Sequence, residues 1–410
     1  MAAVTASAPT ASTPAIEHPL RNPQYRLWLI GGTISLLGDQ FYMVALPWLI
    51  LEKTGSAVAM GTVMMVGSIP RALLMLMGGA ISDRISARKI MMTTATARTI
   101  CVAVIGILIW FSILQMSELY ALAIIFGVAD AFAAPAGTAY LPSLLKPEQL
   151  VAASSVGQSV GQVTTITGPI PAGFVIKRMG VAWAFIIDAV SFLFIIGALW
   201  KLPDPPKSQA PPKAVLTAIA EGIAYVLRDV PLRSLMLLAT MMNFCFFGPV
   251  GIGLTYLTKT LFGSPAILGA LMSAVAVGSL LGALLAGVWK IRRRGLLILL
   301  VAVVLAPCLV AIGFIERLLP LAGLLFGIGV LAAFMNVHIS AWVMQRIDAA
   351  VRGRVASVLM LATFGIMPIS FALAGFLIAW NLKFTFLIAG LAMLITAVGA
   401  SLQKSVREIE

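Results

Sequence analysis

Five ionisable side chains, Asp39, Arg71, Arg98, Asp130 and Asp188, interrupt apolar runs long enough to cross a lipid bilayer. A charge at the centre of a bilayer costs at least about 2.5–3.5 kcal/mol, so a chain that keeps several of them needs them. Two kinds of chemistry are open to such groups. Carboxylates and guanidiniums can pair and lock helices together, and a carboxylate in a partly desolvated cavity can take up and release a proton.

Their depths follow from the helical rise of about 1.5 Å per residue. Counted from Trp28 and Asp83, Asp39 and Arg71 both lie roughly 16–18 Å from one membrane face, near the bilayer middle. If spans one and two pack side by side, Asp39 and Arg71 form an ion pair. Arg98 lies about 14 Å from the same face, and the deep Asp130 makes a second pair with it possible. Asp188 falls nearer the opposite face, with no cationic partner in its own helix. Asp39 or Asp130 would serve as proton carrier; a tight arginine partner opposes proton uptake and favours a structural lock, so both roles stay open for each.

Other side chains read less sharply. His338, with Asn336 two residues before it, is either a packing histidine or a proton relay. Asn243, Phe244, Phe246 and Phe247, with Met64, Met65, Met75 and Met77, either line an adaptable apolar substrate cavity or face lipid and neighbouring helices. Cys101, Cys245 and Cys308 sit inside apolar runs without metal or disulfide spacing and read as packing residues.

The elements that must hold these groups are membrane helices. Of 410 residues, 60% are apolar and only 10% charged, and the mean hydropathy is +1.04, against roughly 45–50% and about 25% in a soluble domain. Twelve runs of sufficient length lie near 27–51, 57–82, 90–112, 117–142, 151–176, 181–200, 233–262, 266–289, 295–315, 319–344, 355–379 and 383–402. The expected fold is therefore all-α and polytopic, with a tail over 1–24, six-helix halves over 25–201 and 233–403, a linker over 202–232 and a short tail over 404–410. The tail over 1–24 lacks a basic start and an apolar core, so it reads as disordered rather than as a cleavable signal. The net charge of +13 is scattered over short loops, which points to topology and away from nucleic acid. Twenty Lys and Arg fall on the side of the termini, six on the other side and two within spans, so both termini are expected in the cytoplasm of a multi-pass plasma-membrane protein. Within the linker, Val215, Leu216, Ile219, Ile223, Val226 and Leu227 recur at helical spacing among Lys213, Glu221 and Arg228, the pattern of an amphipathic helix on the membrane surface.

An offset of 208 residues aligns Gly55-Ser56 with Gly263-Ser264, Gly61 with Gly269, Gly79 with Gly287 and Arg84 with Arg292, as duplicated halves would. The buried charges do not repeat. Asp39 aligns with Phe247, Arg71 with Ser279, Arg98 with Ala306 and Asp188 with Thr396, while Asp130 aligns with His338. The N-terminal half is thus expected to carry coupling.

Between spans two and three, Gly79-Ala80-Ile81-Ser82-Asp83-Arg84-Ile85-Ser86-Ala87-Arg88-Lys89 resembles the G-x-L-A-D-R-x-G-R-K signature of the major facilitator superfamily, with Ser86 in place of the usual glycine and Ala87 in place of the first basic residue. Gly38-Asp39-Gln40, Glu221-Gly222-Ile223-Ala224-Tyr225-Val226 and Arg352-Gly353-Arg354-Val355 resemble its macrolide efflux and enterobactin export branch. The resemblance implies that Asp83, Arg84, Arg88 and Lys89, with Gly79, form a charge network at a cytoplasmic gate; anchoring topology is the plainer role. Gly157, Gly161, Gly168-Pro169 and Gly173 in span five resemble the glycine-proline signature of drug/proton antiporters, and also suit a small-residue packing face.

Together these imply a secondary transporter, the leading reading being proton-coupled efflux of a small, moderately hydrophobic compound by a monomer without cofactor. Nutrient uptake and lipid flipping stay open as alternatives. With no HExxH, GxSxG or P-loop pattern and no metal-ligand cluster in the sequence, an enzyme or an ATP-driven pump is disfavoured.

Overall fold

Twelve helical rods are joined by short connections in a computed structural model that describes residues 18–82, 85–205, 215–289, 293–347 and 352–407. Spans one to six are Pro23–Thr54, Ala57–Ser82, Ala87–Trp110, Met116–Tyr140, the pair Leu150–Thr167 and Pro169–Met179, and Val181–Lys201. Spans seven to twelve are Val230–Phe262, Pro265–Val288, Arg294–Ile312, Leu318–Arg346, the pair Arg352–Phe364 and Met367–Trp380, and Leu382–Ser401. Among the described residues, eleven rods hold a stretch long and apolar enough to cross a membrane. The rod outside that set is span five, whose first helix carries Ser154, Ser155, Gln158, Ser159 and Gln162.

The chain marks its helix ends with local chemistry. Asn22 caps span one, its side-chain oxygen accepting from the backbone N–H groups of Gln24 and Tyr25, with Pro23 in the first turn. Gly55 and Gly263 end spans one and seven in the left-handed conformation, at φ 63° and 59°, so the 208-residue offset aligns two turns that favour glycine. Within the stretch 1–24 expected to be disordered, Pro19–Arg21 forms a turn of 3-10 helix with Pro19 buried and span one begins at Pro23; residues 1–17 lie outside the described residues. At the other end, Lys404–Arg407 adds a helical turn that buries Val406. The linker contains the helix Val215–Arg228, which packs on span seven and on the first helix of span eleven.

Within the first half, span one packs on span six, span two on span four, and span three on both four and six. In the second half, eight packs on ten, nine on twelve, and seven on eleven and twelve. Two seams join the halves, span two on eleven and span five on eight, and each is the other's counterpart under a shift of six spans. Gly61 and Gly375 meet backbone to backbone in the first seam, Gly269 and Pro169 in the second. Small residues permit these approaches, and without a hydrophobic drive between helices in lipid, close packing is what holds them.

Gly127 on span four lies against the carbonyl oxygen of Gly67 on span two, with no room for a side-chain carbon. Overpacking of this kind costs about 1–3 kcal/mol, so Gly127→Val should lower the thermal midpoint of the detergent-solubilised protein. Gly323→Ala, with open space around the position, should leave it unchanged. Equal midpoints for both variants would remove the close crossing from the account of stability.

Candidate functional site

Arg98 of span three is the centre of a charge cluster inside the first half. Its guanidinium pairs with the Asp39 carboxylate from span one and stands 3.8 Å from Asp130 of span four. Two phenyl rings enclose it, Phe126 at 4.8 Å and Phe192 at 4.4 Å from the guanidinium carbon. A planar, weakly hydrated guanidinium suits this stacked position where an ammonium does not. Arg71 of span two completes the group, with its Nη1 3.1 Å from Asp130 Oδ2.

The pairing differs from the expected one between Asp39 and Arg71. Span one packs on span six and span two on span four, so Asp39 is turned toward Arg98 while Arg71 is turned toward Asp130. Asp188 also departs from expectation. Gly38 places span one against span six so closely that an added side-chain carbon would stand 2.7 Å from Asp188 Oδ1. Asp188 therefore lies level with Asp39 rather than nearer the opposite face. It is fully buried, the Ser191 hydroxyl is 3.5 Å from Oδ1, and Oδ2 has no hydrogen-bond partner among the described residues.

The cluster is unevenly buried; the side chain of Arg71 keeps 36% of its exposure and those of Asp130 and Asp39 keep 22% each, against 10% for Arg98. Across the seam, the Arg71 guanidinium sits 4.8 Å over the ring of Phe364 on span eleven. Phe364 in turn borders a cavity of about 180 Å³ in the second half, between spans seven, ten and eleven. Asn243, Asn336, Ser340 and Thr363 give it polar groups, and Met242 and Met360 are among its apolar walls. Among the described residues, no charged side chain lines it.

Of the residues expected in a substrate cavity, Asn243 is there. Phe247 and His338 are not in that lining; Phe247 stands edge-on to Phe246 at 6.5 Å, and buried His338 stands edge-on to Phe334 at 4.7 Å. Span five shows the helix break that its glycine and proline suggest, between Thr167 and Pro169. Gly168 lies against Gln40 and Gly173 against the Pro265 carbonyl and Ala266, while Gly161 has open space beside it. The first two contacts are the packing role of the motif.

In the loop between spans two and three, Asp83 and Arg84 lie outside the described residues, and Gly79 falls in the last turn of span two. Lys89 is exposed. Arg88 has a definite place, donating from Nε to the Leu199 carbonyl at 2.6 Å and from Nη2 to the Trp200 carbonyl at 3.2 Å. A cation there satisfies carbonyls at the C-terminal end of span six and meets the negative end of its dipole. Beside it the Ser86 hydroxyl donates to the Asp204 carboxylate, and the Tyr140 hydroxyl donates to the Pro203 carbonyl at 2.9 Å. Ser86, at the usual glycine position of the signature, is thus part of a clamp on the start of the linker.

Residues that sequence reasoning passes over include Phe126, Phe192 and Phe364, and a polar stripe on span five. Aromatics are common in this chain, so the three rings give no local signal. The stripe has one: Ser154, Gln158 and Gln162 recur every four residues, and Gln162 donates from Nε2 to the Ala276 carbonyl across the seam at 3.1 Å. Asn336 and Ser340 show the same spacing and are hydrogen-bonded at 3.2 Å.

Removing one partner of a buried ion pair strands the other charge and costs about 3–5 kcal/mol. Arg98→Leu should therefore lower the thermal midpoint sharply, and the double variant with Asp39→Asn should recover part of the loss. Additive losses would show that the pair contributes nothing to stability.

Comparison with known proteins gives the site its setting. The family model for the Major Facilitator Superfamily matches residues 28–361. The chain is 29% identical over 407 residues to the multidrug efflux pump Tap of Mycolicibacterium fortuitum, covering 94% of this chain and 96% of that one. It is 23% identical to macrolide efflux protein A of Streptococcus pyogenes, covering 94% and 97%. Among solved structures it matches the nucleoside transporter NupG, with TM-score 0.73, 14% identity and coverage of 93% of this chain and 98% of that one. It also matches a bacterial homologue of the iron transporter ferroportin in its inward-facing state, with TM-score 0.73, 16% identity and coverage of 94% and 100%. The chain belongs to the major facilitator superfamily, with two six-helix halves and a multi-pass place in the membrane.

Proposed function

We propose that the chain exports a small, moderately hydrophobic compound in exchange for protons, acting as a monomer in the plasma membrane with both termini in the cytoplasm. The observation that carries this reading is the unequal charge of the buried cluster, three carboxylates against two guanidiniums among the described residues, placed across the seam from an uncharged cavity. Taking charge out of water is costly, so such a cluster is most stable when it holds one added positive charge, and a proton is the smallest. Asp130 is the exchanging group, because its side chain is part-exposed and its partner Arg71 is the most exposed member of the cluster, able to withdraw and leave the carboxylate to a proton. Asp39 is the fixed partner of Arg98, and Asp188 is held away from water.

Export is supported by the names of the relatives, a multidrug efflux pump and a macrolide efflux protein. The 20 basic residues on the terminal side support the orientation. Arg88 belongs to the cytoplasmic gate by tying its loop to span six, and Asp83 and Arg84 complete that gate.

Proteoliposomes with an imposed pH gradient test the reading, with erythromycin, ethidium and chloramphenicol as probes. A lumen one pH unit more acidic should drive accumulation of a carried probe, to at most about tenfold for one proton per neutral molecule. Asp130→Asn should abolish this accumulation while the protein still reconstitutes. Flux that ignores the gradient would overturn proton coupling, and accumulation in an alkaline lumen would mean uptake. Movement of labelled phospholipid alone would mean a flippase.

A further inference from the structure

Phe364 touches both halves of the proposed machinery. One part of its side chain borders the cavity with Asn243, Asn336, Ser340 and Thr363, and its ring carries the Arg71 guanidinium at 4.8 Å. Arg71 is at the same time 3.1 Å from Asp130. The chain of contacts from cavity to exchanging carboxylate is thus one ring and one guanidinium long. It also lies at a break, because the first helix of span eleven ends at Phe364 and the second begins at Met367. A ring at a helix end can be displaced with less disturbance of the ladder than one in mid-helix.

We infer that Phe364 is the positioning residue that couples ligand in this cavity to the proton on Asp130, and that the cavity takes an uncharged hydrogen-bonding group attached to an apolar body. This rests on the antiport reading above. A ligand seated among the amides and hydroxyls presses the ring toward Arg71 and keeps the guanidinium on Asp130. That contact favours the carboxylate, so the proton of a protonated Asp130 leaves to water. Conversely, a proton on Asp130 loosens Arg71, the cation no longer braces the ring, and the cavity wall loses its shape. Titratable and charged groups around Asp130 are Arg71 from span two, Arg98 from span three, Tyr42 and Asp39 from span one and, beyond Arg98, Asp188 from span six. All of these stay within the first half, and Phe364 carries the contact across the seam.

The ligand class follows from the lining. Two amides and two hydroxyls supply donors and acceptors, and the described lining holds no charge, so a buried ionic group would find no partner there. At about 180 Å³ the cavity is smaller than the roughly 300–1,000 Å³ of sites that enclose a drug-sized molecule. It therefore accepts one end of such a molecule, and the rest extends toward the seam.

Chloramphenicol, neutral across the useful pH range and rich in hydroxyl and amide groups, is a suitable probe for equilibrium binding to the full chain in detergent. Ligand and proton must weaken each other reciprocally, so its Kd for the wild-type protein should rise as pH falls, by up to about tenfold per unit for one proton exchanged. Phe364→Leu should flatten this slope, whatever it does to the Kd at high pH. Phe364→Tyr, which keeps the ring, should restore the slope. A wild-type slope of zero would overturn the antiport reading itself. A normal slope in Phe364→Leu, or a flat one in Phe364→Tyr, would overturn the link through the ring while leaving antiport standing. Should Phe364→Leu fail to fold, Thr363→Cys offers a second measurement, with Cys101, Cys245 and Cys308 replaced by alanine. Chloramphenicol should slow its labelling by N-ethylmaleimide, more at high pH than at low; an unchanged rate would overturn the cavity as the ligand site, and protection independent of pH would overturn the coupling.

Discussion

A guanidinium in the middle of a bilayer needs both a counter-charge and a shell that keeps lipid away, and Arg98 has both. Asp39 supplies the counter-charge, and Phe126 and Phe192 supply the shell. Much of the first half can be read as meeting this constraint. Span three packs on spans four and six, which supply the rings, and its long Arg98 side chain reaches the carboxylate on span one. Gly38 must be bare so that span six can approach with Asp188 and Ser191. A buried pair of this kind is weak evidence for stability, since apolar replacements often serve as well.

The second half is built by the same packing rules, and among the described residues its ion pairs lie near the ends of its helices, Arg346 with Asp229 and Lys383 with Glu316. Its cavity uses amides and hydroxyls, which a helix can carry into the membrane at less cost than ions. The seams between halves are correspondingly simple, made of glycines, prolines and short side chains. Arg71 over Phe364 is an aromatic contact of a charged group across this boundary. The division of labour follows from the unequal sharing of ionisable residues between two otherwise similar frames.

Much of this is legible in the sequence. The charges stand out because each is expensive in an apolar run, and the Gly55 and Gly263 turns stand out because an offset of fixed length aligns them. Partner choice is not legible in the same way. Asp39 and Arg71 are at matching depths on consecutive spans, yet depth says nothing about which face of each helix meets which neighbour, and spans one and two turn toward different partners. The level of Asp188 escapes for a related reason, since it depends on how far span six slides along span one. The break in span five is written in Gly168-Pro169, whereas the break beside Gly365 in span eleven has a fainter mark, Pro368 just beyond it. Aromatic walls such as Phe364 carry no periodic or charge signal, so only their contacts identify them.

The two interrupted rods have a mechanical meaning. Pro169 and Pro171 lack the N–H groups that would bond to the carbonyls of Thr165 and Thr167, and Pro368 lacks the one for Phe364. At these points the backbone has already forgone its ladder bonds, so curvature can change there without rupturing others. Both rods also belong to the seams, where the Met367–Trp380 and Pro169–Met179 segments are pinned to the opposite half by Gly375 and Gly173. Spans one, two, four, seven and nine also carry an interior proline, at Pro47, Pro70, Pro135, Pro249 and Pro307, but their helices run on through it. The two interrupted rods are the ones that also straddle the boundary, so a change of curvature in them moves one half against the other.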